Sequence, residues 1–155
     1  FAHSAGVIAG EFTADGLRRF YLLPRDTPPP MLAALPAQAE AEVLLAALQR
    51  YFLGEPEDFR GIALDLNQGT TFQRSVWSAA RAVPWGATAT YGDLAAQLGR
   101  GPGSARAVGH ALGQNPLHLL VPCHRFLAAS GHLVDYAGGI EWKETLLRLE
   151  GHHLA

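Results

Sequence analysis

The chain has a single cysteine, Cys123, among 155 residues. That excludes an internal disulfide framework and any zinc site built from several thiolates. Apolar runs are short. None approaches the roughly 20 residues needed to cross a bilayer, and the N-terminus lacks the basic-then-apolar pattern of a secretory signal. A soluble, cytoplasmic protein is expected. Acid is scarce in the middle of the chain: residues 71–125 carry Arg74, Arg81, Arg100, Arg106 and Arg125 against Asp93 alone, a local charge of +4. Residues 1–70 sum to −4 and the whole chain to −2, which argues against a generally basic nucleic-acid binder. An acid-poor segment supplied only with arginine suits a phosphate backbone, or is a solvated basic face. What the chain does have is 48% apolar content, enough for a compact core in one medium domain or two small ones.

Residues 6–23 read as a β-hairpin turning at Asp15-Gly16. Pro24 and Pro28-Pro29-Pro30 form an extended connector that suits neither helix nor central strand. After Pro36, the stripe Ala41, Leu44, Leu45, Leu48 and Phe52 predicts an amphipathic helix stopped by Gly54. Ile62, Leu64 and Leu66 alternate as a short strand. Residues 1–66 thus read as a small α/β unit with no catalytic cluster and a scaffolding role, and residues 67–155 as a second unit.

Thr70 and Gln73 are spaced as a capping box for a helix burying Phe72, Val76, Trp77, Ala80 and Val83 and ended by Pro84-Trp85-Gly86. Thr90 and Asp93 repeat the arrangement ahead of Leu94, Ala95 and Leu98, with Gly99 as terminator. Arg100-Gly101-Pro102-Gly103 turns the chain, and Ser104 is placed to cap a helix burying Ala105, Val108, Gly109 and Leu112. Two short helices joined by a tight glycine-containing turn make a helix-turn-helix, a pattern shared by DNA binders and by proteins that never meet DNA. Arg106 stands in the first turn of the second helix, suited to a phosphate or a base stack. Asn115-Pro116 ends that helix.

The apolar run Leu117–Val121 then reads as a buried strand leading to Pro122-Cys123-His124-Arg125. On these residues alone two readings stand: a thiol displayed as a nucleophile beside a base, or a small hydrophobe at the end of a core strand. Phe126–Val134 reads as a ribbon turning at Ser130-Gly131. Tyr136-Ala137-Gly138-Gly139 reads as a loop able to press its backbone against a flat ligand. Ile140–Glu150 is the last helix, burying Trp142, Leu146, Leu147 and Leu149. Glu150 sits at its C-terminus, where the dipole disfavours a carboxylate, and calls for a partner such as His124.

Together these residues resemble the O6-alkylguanine-DNA alkyltransferase family. The likeness runs from Thr71-Phe72-Gln73 and Val76-Trp77 through Pro84-Trp85-Gly86, Thr90-Tyr91 and Arg106-Ala107-Val108-Gly109 to Asn115-Pro116. It continues through Pro122-Cys123-His124-Arg125, Ser130-Gly131, Tyr136-Ala137-Gly138-Gly139, Lys143 and Glu150-Gly151-His152, and so covers about the last 85 residues. Residues 1–66 match only in general shape. The resemblance implies a ribonuclease-H-like α/β N-terminal domain and a mainly α C-terminal domain with a winged-helix-like, DNA-binding helix-turn-helix.

It also implies roles. Cys123 is the acceptor that displaces the alkyl group from guanine O6 in duplex DNA, once per molecule. His124 reaches the sulfur through a water, and Glu150 holds the other ring nitrogen. Asn115 is the hinge between the recognition helix and the segment before Cys123. Tyr91 crowds the target phosphate and donates to guanine N3, while Arg106 fills the stack left by the flipped base. Ser104, Ala105, Arg125 and Ser130 complete the DNA face, and Tyr136, Ala137, Phe126 and Lys143 the substrate pocket. Ala137 departs from a usual serine and Phe126 from a usual valine. The family's zinc-binding members use N-terminal cysteines that this chain lacks, and His152-His153 is expected to be solvated, so neither metal nor cofactor is expected.

The expected partner is double-stranded DNA carrying O6-alkylguanine, bound by a monomer at the nucleoid of a prokaryote. The alternative is a non-catalytic alkyltransferase-like lesion-recognition protein. Those proteins replace the cysteine, usually with tryptophan, so Cys123 argues against it. A cysteine hydrolase using Cys123 and His124 is a third reading, made awkward because adjacent residues of an extended segment point to opposite faces.

Overall fold

The structure, a computed structural model, describes residues 2–4, 6–26, 38–134, 136 and 138–154. The expected Pro28-Pro29-Pro30 connector and Ala137 lie outside them. The chain opens with a three-stranded antiparallel sheet: β1 (Ala2–His3), β2 (Gly6–Thr13) and β3 (Gly16–Pro24), in that spatial order. The β2–β3 hairpin turns at Ala14-Asp15, with a register shift between Glu11 and Phe12. Gly16 has φ +135°, and a Cβ there would sit 2.5 Å from Ala63 O, so only glycine lets the segment 62–66 lie this close.

That segment is not the strand its alternation predicts. It makes one parallel bridge, Leu17 with Leu64, through Leu17 N–H to Ala63 O and Asp65 N–H to Leu17 O. The Asp65 carboxylate then accepts from Asn67 N–H and the Thr13 hydroxyl, turning the chain away.

Helix α1 (Gln38–Phe52) buries Leu44, Ala47, Leu48 and Tyr51, a clean i, i+3, i+4, i+7 stripe. Ala41 and Leu45, expected inside, face out, because the helix turns Tyr51 inward against Phe59 and Trp85. Helix α2 (Thr71–Ala80) has both bonds of the Thr70–Gln73 capping box and buries Val76, Trp77 and Ala80, with Phe72 and Val83 half-buried beside the core. A two-residue strand, β4 (Ala89–Thr90), leads into α3 (Tyr91–Gln97), capped reciprocally by Thr90 and Asp93. Gly99 follows at φ +69°.

Helix α4 (Ala105–Gly113) is entered through a 3-10 turn, Pro102–Ser104, and buries Val108, Ala111 and Leu112. Ser104 was expected to cap it but makes no side-chain cap bond, since its helical backbone (φ −84°, ψ −7°) merely continues the turn that Pro102 starts. Pairs α3–α4 and α2–α4 pack together as the helix-turn-helix reading requires.

Leu117–Val121 is buried as expected but is not a strand. Phe20 of β3 bonds Pro116 O and His118 N–H; Leu119 then turns at φ +71°, and Val121 N–H returns to Leu117 O. Cys123–Arg125 forms a 3-10 turn. β5 (Phe126–Leu127) pairs in parallel with β4, so the expected ribbon shrinks to two residues before the turn closed by Gly131 N–H to Ala128 O. Helix α5 (Ile140–Leu149) buries Trp142, Lys143, Leu146 and Leu147. Leu149 is only half-buried.

The result is a mixed α/β fold. One buried cluster reaches from Ile8 and Phe20 through Tyr51 to Val108, Phe126 and Leu146, shared by residues on both sides of position 66. No described helix is long and apolar enough to cross a membrane.

Candidate active site

The thiol is held from the end of α4. Asn115, 3% exposed, accepts from Leu117 N–H at 2.8 Å and donates through Nδ2 to Leu117 O (3.2 Å), Val121 O (3.0 Å) and Cys123 Sγ (3.4 Å). One amide therefore fixes the 117–121 turn and the sulfur together. Cys123 is buried. Burial pushes the thiol pKa up, while the Asn115 donor, the Tyr136 hydroxyl and the Lys143 charge oppose it without prevailing. The sulfur of the free protein is thus a neutral thiol at neutral pH, and its reaction needs a proton acceptor.

His124 stands next in the same 3-10 turn, fully buried, with Nε2 2.8 Å from Glu150 Oε1. The turn removes the alternation of an extended segment, so the two side chains are not forced to opposite faces. No direct bond joins Sγ to the ring among the described residues. Glu150 caps the C-terminus of α5 and is the hub of the site. Arg125 grips it with both arms, Nε to Oε2 and an Nη to Oε1, each at 2.9 Å, and Tyr51 donates to Oε1 at 2.6 Å. Burial by itself would raise the Glu150 pKa. Hydrogen bonds and charge from His124 and Arg125 override it and hold the group at about 2.

An ionised carboxylate only accepts, so the proton of neutral His124 sits on Nε2. Nδ1 is then the basic nitrogen, buried and with no hydrogen-bond partner among the described residues. Burial lowers the His124 pKa; Glu150 opposes this, while Arg125 and Lys143 add to it. The ring is a neutral base of fixed tautomer beside a neutral thiol.

Around this pair, Lys143 is the only lysine of the chain and is completely buried. Its ammonium donates to Phe126 O (2.8 Å) and Val134 O (3.3 Å). Phe126 is buried with its ring stacked on Tyr91, centroids 6.2 Å apart. The Tyr136 hydroxyl lies close enough to Cys123 for each to bias the other's protonation, and it has no hydrogen-bond partner among the described residues. A Cβ at Gly138 would approach Leu22 O to 3.0 Å, so this loop lies tight against β3.

Residues 71–152 match the DNA-binding-domain model of 6-O-methylguanine DNA methyltransferase. The chain belongs to this methyltransferase family. A methylated-DNA–protein-cysteine methyltransferase of Mycolicibacterium paratuberculosis is 52% identical over 106 residues, which span 68% of this chain and 62% of that protein. Its counterpart in Mycobacterium leprae is 45% identical over 126 residues, 81% of this chain and 74% of that protein. Among solved structures, Mycobacterium tuberculosis OGT in complex with DNA superposes with a TM-score of 0.82 at 39% identity, covering 97% of this chain and 89% of that one.

The structure brings Cys123, His124, Asn115, Tyr136, Lys143 and Glu150 into one cluster, with Phe126 bonded to Lys143 and stacked on Tyr91. The expected DNA face divides. Arg106 is exposed on the first turn of α4, with Ser104 and Ala105 half-buried beside it. Ser130 is exposed, its hydroxyl 2.8 Å from His132 Nδ1. Arg125, by contrast, is not displayed for phosphate. It is 5% exposed, bound to Glu150 and to Val83 O, because the ionised carboxylate beneath it demands a cation. Of the other arginines in the acid-poor segment, Arg74 donates to Gly69 O and Arg100 lies over the Phe72 ring at 4.5 Å.

Among the described residues no group of three His, Cys, Asp or Glu stands together to hold a metal. His153 is exposed, whereas His152, expected to be solvated, is half-buried.

Two residues escaped the sequence reading. Tyr51 comes from the half taken as scaffold; the available signal was a tyrosine at an inward position of an amphipathic helix, whose hydroxyl must find a partner. His118 is buried beside Tyr136, accepts from Leu22 N–H through Nδ1, and is held by burial at a pKa of about 4. Nothing in its local sequence marks it.

Proposed function

We propose that this protein repairs DNA by moving the alkyl group of O6-alkylguanine irreversibly onto Cys123 Sγ. The observation that carries the proposal is the sole thiol, clamped by Asn115 beside a histidine whose tautomer an ionised Glu150 fixes. In the reaction the thiol proton passes to His124 Nδ1 through solvent, as the family resemblance implies. The thiolate then forms a bond to the alkyl carbon, and that carbon's bond to O6 breaks. The electron pair stays with the base, which regains its proton and leaves as guanine. Glu150 keeps the ring oriented and offsets the imidazolium charge. The thioether has no hydrolysable link, so each molecule acts once.

Reading the base falls to the backbone near Cys123, Phe126 and Ala137, with Tyr136 and Lys143 shaping the pocket and Tyr91 donating to guanine N3. We take residues 1–66 as a ribonuclease-H-like α/β domain and residues 67–155 as the winged-helix-like domain that meets double-stranded DNA. The protein acts as a monomer, without metal or cofactor, in the cytoplasm at the nucleoid. The named activities of its relatives and the DNA held by M. tuberculosis OGT support this reading, and Cys123 disfavours lesion recognition without transfer. Methyl-labelled O6-methylguanine duplex in excess tests it: one equivalent of label should reach the protein and none should reach Cys123→Ala. Repeated turnover would refute it.

Arg106 gives a second expected outcome. Its exposed place at the start of α4 suits it to occupy the stack of the flipped nucleotide, where unstacking costs a few kcal/mol. Arg106→Ala is expected to weaken duplex binding and slow repair in duplex by about tenfold or more, a loss of roughly 1.4 kcal/mol. Reaction with free O6-benzylguanine, which needs no flipping, should change far less. Equal losses on both substrates would mean that Arg106 supports the fold.

A further inference from the structure

Glu150 receives one of its bonds from the far end of the chain. Tyr51, on the inward face of α1, is fully buried, and its hydroxyl donates to Glu150 Oε1 at 2.6 Å. The same oxygen bonds His124 Nε2 and one arm of Arg125, and Oε2 takes the other arm. Three donors therefore crowd Oε1 while a single one meets Oε2. The Tyr51 ring is fixed by Phe52, Phe59 and Trp85, with centroids 5.4, 5.6 and 4.9 Å away. Burial and the adjoining carboxylate push the phenol pKa well up, so the hydroxyl remains a donor at any working pH.

We propose that Tyr51 is a positioning residue that sets the reactivity of Cys123 through Glu150 and His124, giving α1 control over a cluster otherwise drawn from residues 115–150. The inference deepens the alkyl-transfer reading and rests on it for Cys123 as the reacting group.

Tyr51 and His124 compete for one oxygen. The Tyr51 donor draws electron density from Oε1, so the bond from His124 Nε2–H is weaker, and Nδ1 less basic, than Glu150 and Arg125 alone would make them. Because Arg125 holds both oxygens, removing the Tyr51 hydroxyl leaves the carboxylate in place and changes mainly its charge density. The other polar groups facing the pair stay as they are: Asn115, Tyr136 and Lys143 toward Cys123, and Arg125 and Lys143 toward His124.

Tyr51→Phe is therefore expected to lower the pH midpoint of Cys123 reactivity by about half a unit, roughly a threefold gain in thiolate below the midpoint. Replacing Tyr51 by 3-fluorotyrosine through codon suppression keeps the shape and strengthens the donor, so that midpoint should rise.

The readout is the rate of Cys123 modification by methyl methanethiosulfonate across pH, followed by intact mass, with a thermal melt on each protein. This reagent needs no DNA. A wild-type protein that fails to take methyl from duplex yet shows both shifts would refute the proposed function and uphold the role of Tyr51. A purely structural tyrosine would lower the melt and leave the midpoint alone. An unmoved midpoint in folded Tyr51→Phe, or a shift of the same sign in both variants, would overturn the proposal; if Tyr51→Phe does not fold, the fluorotyrosine protein decides by itself.

Discussion

Glu150→Gln is expected to destabilise the protein by about 3–5 kcal/mol, the cost of breaking a buried ion pair by removing one partner. Three side chains, Tyr51, His124 and Arg125, all donate to this carboxylate. A glutamine brings one acceptor oxygen and an amino group that must face a donor, and it leaves the Arg125 charge buried without a counter-ion. The pH dependence follows from the same contacts. Glu150 has its pKa depressed in the folded state, from an ordinary 4.5 to about 2. Its contribution is therefore complete above the unfolded value and is lost as pH falls from about 4.5 through about 2, amounting to about 3 kcal/mol. Urea unfolding of the wild type should show that loss, and Glu150→Gln should lack this component of the acid dependence. In the folded fraction of the variant, Cys123 should titrate at higher pH, because the imidazole has lost its counter-charge. Transfer should slow at neutral pH and recover in part as pH is raised. A stable Glu150→Gln with an unchanged pH–rate profile would reduce Glu150 to a helix cap.

Asn115→Ala is expected to cost about 3 kcal/mol and to silence the thiol in the same stroke. The substitution strips Leu117 N–H of its acceptor and Val121 O of a donor inside the core, and each buried group left unpaired costs about 1–3 kcal/mol. It also removes the one side-chain donor bonded to Sγ among the described residues. Since burial already raises the Cys123 pKa, loss of that donor should raise it further. Asn115→Asp separates the two effects. It retains an acceptor for Leu117 N–H but places an anion beside the sulfur, so thiolate formation should be poorer still. Alkylation rates at pH 8 should rank wild type above Asn115→Ala and Asn115→Asp last. Equal rates for all three would mean that the amide supports only the turn.

Local chemistry was the legible part of this chain. The capping boxes at Thr70–Gln73 and Thr90–Asp93 and the β2–β3 hairpin depend on neighbours within a few residues; the boxes form as expected, and the hairpin forms with its turn at Ala14-Asp15, one residue before the expected Asp15-Gly16. Cys123, His124, Asn115 and Glu150 were legible through the family motif, and the His124–Glu150 contact also through the misplaced charge at the end of α5. Where the backbone found partners outside a ladder, the sequence pattern misled. Ile62–Leu66 and Leu117–Val121 have the apolar spacing of strands, yet Asp65 and Asn115 side chains bond the adjacent backbone and turn each segment after one bridge to β3. Arg125 looked like a phosphate ligand because sequence counts charge without direction; the ion pair that draws it inward is 25 residues away. Tyr51 lies 99 residues from the carboxylate it bonds, and no local pattern encodes such a contact.

The central claim is that Cys123 receives the alkyl group once and keeps it. Intact-mass measurement after incubation with excess O6-methylguanine duplex, followed by peptide mapping, tests it most directly. The account predicts a gain of one methyl group per molecule, located on Cys123, reaching a plateau that neither longer incubation nor more substrate raises. A methyl group on any other residue, or repaired guanine accumulating beyond one equivalent while the protein mass stays unchanged, would contradict it.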